Sequence, residues 1–188
     1  MAANPERRTQ VCDAALELLG RNGSRAVTHR AVDAEAGLPT GTTSNYFPSR
    51  AALFLGMCRR LFQVLAPEQR RLEELGSLPV AEAGPEYVGY IVERLLARPN
   101  LARSWFELRI EAMRSPEISE LMASVLQEGF MADVAFHEAR GLTGGRAAVT
   151  ALHHLVDGAV FDALTVPIDP QGDPIRSVKA AARVLFSD

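Results

Sequence analysis

The three residues Gly37-Leu38-Pro39 limit the fold of this chain more than any other short stretch. A helical pattern runs into them over about Thr28 to Ala36, and another leaves them over about Thr40 to Phe47. Glycine tolerates the left-handed backbone that a sharp helix-to-helix corner needs. Proline cannot continue the helix before it, but it suits the entry to the next one. Leu38 can then drop into the core beneath the corner, and the Thr28 hydroxyl can cap the incoming helix by accepting a first-turn amide. Two helices joined this tightly make a helix-turn-helix.

The rest of the chain is also read as helical, with no segment that alternates as a strand does. Helix one is expected over Pro5 to Gly20, with Val11, Ala14, Ala15, Leu18 and Leu19 on one face and Gly23 just past its end. Pro48 breaks the third helix, and Ser49 caps a fourth that reaches Val64 or Leu65. Further helices are expected over about Pro67 to Leu75, Glu86 to Arg98, Asn100 to Arg114, Pro116 to Arg140, Gly145 to Thr165 and Pro174 to Phe186, and GSLPVAEAGP reads as a loop with some helical character. The fold class is therefore all-α. Residues 1–50 form a three-helix unit, residues 51–188 a larger helical domain, and helix four, about 49–65, bridges the two. The hydrophobic fraction of 47% is enough for a proper core.

A net charge of −3 does not mark the whole chain as a nucleic-acid binder, but its distribution is uneven. Residues 1–65 carry eight arginines against five carboxylates, whereas the remainder is acidic. Lys179 is the one lysine, and the other basic side chains are arginine forks, which suit phosphate and also follow from codon usage. Cys12 and Cys58 form no CxxC pair and fall in apolar helical patterns, so buried, reduced thiols are expected. The opening MAANPERR lacks the apolar run of a signal peptide, and no run of about 18 apolar residues occurs, so a cytoplasmic protein without a membrane partner is expected. No phosphate-cradling loop, HExxH or GxSxG is found. An enzyme is therefore not expected, and neither a cofactor nor a metal. His153 and Asp157 could share an ion at i and i+4, but an ordinary hydrogen bond is the favoured reading.

The outgoing helix, PTGTTSN, carries short donors and acceptors in Thr40, Thr42, Ser44 and Asn45, and Gly41 clears space. A helix entering a major groove N-terminus first needs such slim side chains, and its unpaired first-turn amides would favour phosphate. Asn45 could read an adenine edge, Tyr46 and Arg50 could meet phosphates, and Phe47 is better used as a buried anchor.

The segment VTHRAVDAEAGLPTGTTSNYFPSRAALF resembles the DNA-binding region of the tetracycline-repressor (TetR/AcrR) family of bacterial regulators, over about residues 7–56. The matching features are Thr28, Ala34 to Leu38, Gly41 to Ser44, Tyr46-Phe47 and Arg50. Two departures stand out: Pro39 replaces a usual serine cap, and Thr43-Ser44 replace a usual Leu-Tyr pair. Carried over by position, the resemblance implies DNA-facing roles for Thr28, His29, Arg30, Thr40, Gly41, Thr42, Ser44, Asn45, Tyr46 and Arg50.

The resemblance also implies a homodimer on double-stranded operator DNA and a C-terminal domain that binds a small-molecule effector. The helix GRAAVTALHHLVDGAVFDALTV has two apolar faces. One face holds Ala148, Leu152, Leu155, Ala159 and Leu164, the other Val149, Val156, Val160 and Ala163. One can serve the chain's own core and the other a second subunit; the spacing does not say which, and the first set is taken for the dimer interface. Trp105, Phe106, Arg109, Met113, Phe130, Met131, His137 and Phe161 could line an effector pocket or be ordinary core. Arg109 could hold an anion or pair with Glu107 or Glu111. The function implied is a transcriptional regulator, a repressor released from its operator by ligand; the alternative is a helical ligand-binding or adaptor protein without DNA binding.

Overall fold

A computed structural model describes residues 4–186 of the protein. The reading of the first residues as no signal peptide, and the outer limits of the two expected domains, touch residues outside that range. Among the described residues the regular structure is ten α-helices and one short 3-10 turn, with no strand. The helices are α1 Pro5–Asn22, α2 His29–Glu35, α3 Thr42–Tyr46, α4 Arg50–Val64, α5 Gln69–Gly76, α6 Val80–Leu96, α7 Pro99–Ala112, α8 Pro116–Ala139, α9 Gly145–Leu164 and α10 Pro174–Leu185. None is long and apolar enough to cross a membrane.

The chain forms two compact units interleaved in sequence, whereas the sequence reading divides it at residue 50. The first holds the described residues to Leu65 together with Arg98–Val125, and the second holds Ala66–Ala97 and the described residues from Leu126 onward. In the first unit α1 is the central element and packs against α2, α4 and α7. Its residues Val11, Ala15, Leu16 and Leu19 are fully buried, beside Val32 of α2, Leu53, Phe54, Met57 and Leu61 of α4 and Leu108 of α7. Burial on more than one side follows from an apolar arc too wide for a single partner helix. Polar bonds secure the seams. The Ser104 hydroxyl donates to the Leu16 carbonyl at 2.7 Å. The Arg60 guanidinium grips both oxygens of Asp13 at 2.6 and 3.0 Å.

In the second unit α6 packs on α9 and α10. α6 begins at Val80, ahead of the expected Glu86, and so contains Pro85. An interior proline forfeits one backbone bond and disfavours the helix locally. Here Ala83, Gly84 and Pro85 are all buried, and the Phe186 ring lies where a side chain on Gly84 would stand. That packing overrides the local preference, as tertiary burial commonly does for helices. The Lys179 ammonium reaches back to Glu86 at 2.7 Å.

Ala148 and Leu152, expected at a dimer interface, are instead taken up by this core together with Val149, Val156 and Val160. The buried arc of α9 is centred between the two faces read from the sequence and draws from both. Leu155, Ala159 and Leu164 stay partly exposed. Phe161 is 49% exposed, and the space around Gly158 is open.

Candidate nucleic-acid interface

The corner between α2 and α3 is closed by backbone before any side chain is considered. Gly37 adopts the left-handed conformation at φ 64°. The Leu38 amide donates to the Asp33 carbonyl at 2.8 Å and the Gly37 amide to the Ala34 carbonyl at 3.1 Å. These paired bonds form a Schellman motif, which satisfies carbonyls that α2 would otherwise leave open. Thr28 caps the other end of α2, accepting from the Ala31 amide at 3.2 Å.

α3 has only five residues and begins later than Thr40, with Gly41 as its N-cap at φ 94° and no side chain of its own capping it. A helix this short has no intrinsic stability in water. Its support comes from Asp33 of α2, a carboxylate only 2% exposed. One Asp33 oxygen accepts the Gly41 amide at 2.7 Å. The other accepts the Thr43 amide at 2.7 Å and the Thr43 hydroxyl at 2.6 Å. Thr43, which stands where the resembling family usually has leucine, is fully buried. The Thr42 amide donates to the Pro39 carbonyl at 3.1 Å. The Gly41, Thr42 and Thr43 amides, at the end expected to favour phosphate, are thus already occupied inside the chain.

Burial raises the Asp33 pKa, but the hydrogen bonds from Thr43 and Gly41, with His29 nearby, outweigh it and hold it below the ordinary carboxylate value. A depressed folded-state pKa means that the stabilisation is present above the unfolded value, about pH 4, and is lost as pH falls through the folded value. The corner is therefore expected to hold unchanged from about pH 6 to 8 and to loosen only in stronger acid. Amide exchange of residues 40–47 followed on acidification checks this, and loosening already near neutrality would contradict it.

The far end of α3 is fixed by Phe47 and His29. Phe47 is 1% exposed, with the Arg8 guanidinium of α1 4.4 Å from its ring centroid. The His29 ring donates from Nε2 to the Phe47 carbonyl at 2.7 Å. Arg50 donates to the carbonyls of Val27 and Ser24, both at 2.7 Å, and lies over the Phe54 ring at 4.3 Å. His29 and Arg50, both assigned to DNA from the sequence, thus spend these donors within the chain.

Of the other residues assigned to DNA, Thr28, Arg30, Thr40, Ser44 and Asn45 are exposed. Gly41, Thr42 and Tyr46 are half-buried, and the Thr42 hydroxyl donates to the Pro39 carbonyl at 2.6 Å. The sequence reading missed Asp33. The available signal was a pair of polar residues, Asp33 and Thr43, at inward positions of adjacent helices.

The eight residues considered for an effector pocket are divided between the units. Trp105, Phe106, Arg109 and Met113 lie in the first. There Trp105 meets Phe62 edge-on at 5.6 Å, Arg109 lies 5.4 Å from the Trp105 ring, and Met113 is 84% exposed. Phe130, Met131, His137 and Phe161 lie in the second. His137 is buried and donates from Nε2 to the Thr143 carbonyl at 2.7 Å. Phe130 lies edge-on to His153 at 5.5 Å and under Arg146 at 4.6 Å. His153 pairs with Asp133 at 3.0 Å. The same Asp133 accepts the Tyr87 hydroxyl at 3.0 Å. Burial, reinforced by the Asp133 charge, pushes the Tyr87 pKa up, so this hydroxyl stays a donor. Among the described residues no group of three or more His, Cys, Asp or Glu is placed to hold a metal ion.

A short outward helix held on a tight corner, followed by a large helical remainder, is the plan of a helix-turn-helix regulator. Residues 11–57 match the family described as bacterial regulatory proteins, tetR family. Residues 79–188 match the tetracyclin repressor-like C-terminal domain. The chain belongs to the tetR family of bacterial regulatory proteins.

It is 30% identical over 122 residues to the HTH-type transcriptional regulator BetI of Agrobacterium fabrum, across 63% of this chain and 57% of that protein. It is 38% identical over 77 residues to the HTH-type transcriptional repressor KstR of Rhodococcus jostii, across 41% of this chain and 33% of that protein. The chain thus spans less than two-thirds of the length of these curated relatives. The crystal structure of the multidrug binding protein EbrR in complex with imidazole shares the fold, with a TM-score of 0.73 at 24% identity over 98% of this chain and 97% of that one. The family, BetI and KstR are described as transcriptional or regulatory proteins.

Proposed function

We propose that the protein is a cytoplasmic, homodimeric transcriptional regulator that reads operator DNA with α3 and leaves it when a small molecule binds its C-terminal domain. One observation carries the reading. α3 buries Thr43 completely and is followed by the buried Phe47, while Thr40, Ser44 and Asn45 are turned to solvent. A helix whose fully exposed side chains are slim and polar lets the backbone come close to base edges. With the Gly41, Thr42 and Thr43 amides occupied, contact falls mainly to side chains: Asn45 and Ser44 at base edges, Thr28, Arg30, Thr40 and Tyr46 at phosphates, and Thr42 and Gly41 keeping the approach close. His29 and Arg50 act mainly from behind.

Dimerisation supplies the second reading helix that a symmetric operator requires. The proposed surface is the part of α9 that the core leaves uncovered, Leu155, Ala159 and Leu164 with Phe161. The two names that speak of repression and of drug binding, KstR and EbrR, support a repressor with a small-molecule effector. Release requires the effector to bind the DNA-incompetent state more tightly.

Footprinting of full-length protein on duplexes selected from a random-sequence library tests this. The expected result is a protected inverted repeat whose affinity falls steeply with salt. Asn45→Ala should relax preference at one base position, and Arg30→Ala should weaken all duplexes alike. Failure to enrich any sequence would sink the reading.

A further inference from the structure

We propose that His29 and Asp33 are positioning residues, a two-point clamp by which α2 sets the pose of α3 on DNA. The inference rests on the regulator reading above, but the clamp itself is a property of the free protein. The two residues stand at i and i+4, one turn apart on the same face of α2. Asp33 takes the Gly41 and Thr43 amides at the start of α3, and His29 donates to the Phe47 carbonyl just past its end. A carboxylate at the N-terminal end and a donor at the C-terminal end both complement the helix dipole. α2 is itself tied to α1, through Gln10 to the Ala36 carbonyl at 2.9 Å and Arg21 to Glu35 at 2.7 Å. The sequence of attachments therefore runs from the core helix α1, through α2, to both ends of a helix too short to hold its own shape.

The clamp also accounts for Thr43. A leucine there would pack on apolar neighbours but would leave the buried Asp33 oxygen without its hydroxyl partner. Such a loss costs more than the net value of the bond, because the carboxylate is already desolvated. Asp33 and Thr43 thus work as one unit, and substituting either should free the start of α3.

The experiment uses the full chain in two arms. In the first, without DNA, hydrogen exchange of residues 40–47 is compared among Asp33→Asn, Thr43→Val, Thr43→Ser, His29→Phe and His29→Gln. Asp33→Asn and Thr43→Val are expected to speed exchange there by about ten- to a hundredfold, the loss that follows from one charge-assisted bond. His29→Phe should speed it at the C-terminal end of α3, while α1 and α4 stay as in the parent. Thr43→Ser, which keeps a hydroxyl, and His29→Gln, which keeps a donor, should restore slow exchange. Unchanged exchange in both Thr43→Val and His29→Phe overturns the clamp, whether or not Asp33→Asn folds.

In the second arm, affinity is measured for the duplex that wild-type protein selects and for an unrelated duplex. Asp33→Asn, Thr43→Val and His29→Phe should lose about tenfold on the first and less than about twofold on the second. A residue serving stability alone would shift the unfolding midpoint and leave that ratio intact, and such a result counts against positioning. If wild-type protein selects no duplex, the regulator reading fails and the exchange arm alone decides the clamp.

Discussion

Phe47→Ala is expected to lower the stability of the first unit by about 3–5 kcal/mol, the usual cost of truncating a buried aromatic ring. The ring is 1% exposed and fills the space beside Gly56, where an added Cβ would stand 2.4 Å from a ring carbon. Its neighbours cannot readily close the gap. Arg60 and Asp13 pin α4 to α1, and Cys12 lines the other side of the Gly56 site, with its sulfur 3.3 Å from that Cβ position. The loss is a large share of the roughly 5–15 kcal/mol that holds an ordinary domain together. Trp105 is the single tryptophan of the chain and lies in the first unit, so its fluorescence during urea unfolding reports the change directly. A loss below about 1 kcal/mol would mean that the ring is not the support described here.

Gly20→Ala is expected to destabilise by about 2–3 kcal/mol, although alanine is the better helix former by about 1 kcal/mol. A Cβ on Gly20 would sit 2.1 Å from the Asn100 carbonyl oxygen and 2.7 Å from its carbonyl carbon. Both obstacles are backbone, so no side chain can swing aside, and α1 and α7 would have to separate. That movement would stretch the Ser104 bond to Leu16 and the Asn100 bond to Glu17, now 2.7 and 2.9 Å. The same urea experiment decides the matter. A stabilised Gly20→Ala variant would show that helix propensity outweighs the contact and that the two helices are less tightly apposed.

The features legible in the sequence are those whose physics is local. Gly37 and Pro39 constrain their own backbone, so the corner could be read from three letters. Thr28, Ser49 and Asp173 each accept from amides two or three residues ahead, so these caps were equally readable. The role of Asp33 could not be read from local spacing, because its partners lie eight and ten residues away across the corner and follow no helical period; only the inward placement of two polar residues, Asp33 and Thr43, pointed to it. The start of α6 was missed because Pro85 argues against a helix locally, while the burial that overrides it comes from Phe186, far along the chain. In α9 the spacing showed two apolar faces but could not say which residues the chain would use for itself. Ala148 and Leu152 went to the core for that reason, and Phe161, weighed only for the effector pocket, was left outside.

The buried thiols have a practical consequence. Burial pushes the Cys12 pKa up to about 11, against the pull of Arg8, and that of Cys58 up to about 12. Near neutral pH both sulfurs are therefore protonated and screened from alkylating reagents. Substituting Ser44→Cys would place a thiolate-forming group on the exposed side of α3, free of any background from the native cysteines. Protection of that sulfur from maleimide by one duplex and not by another would map, at a single atom, which strands the protein embraces.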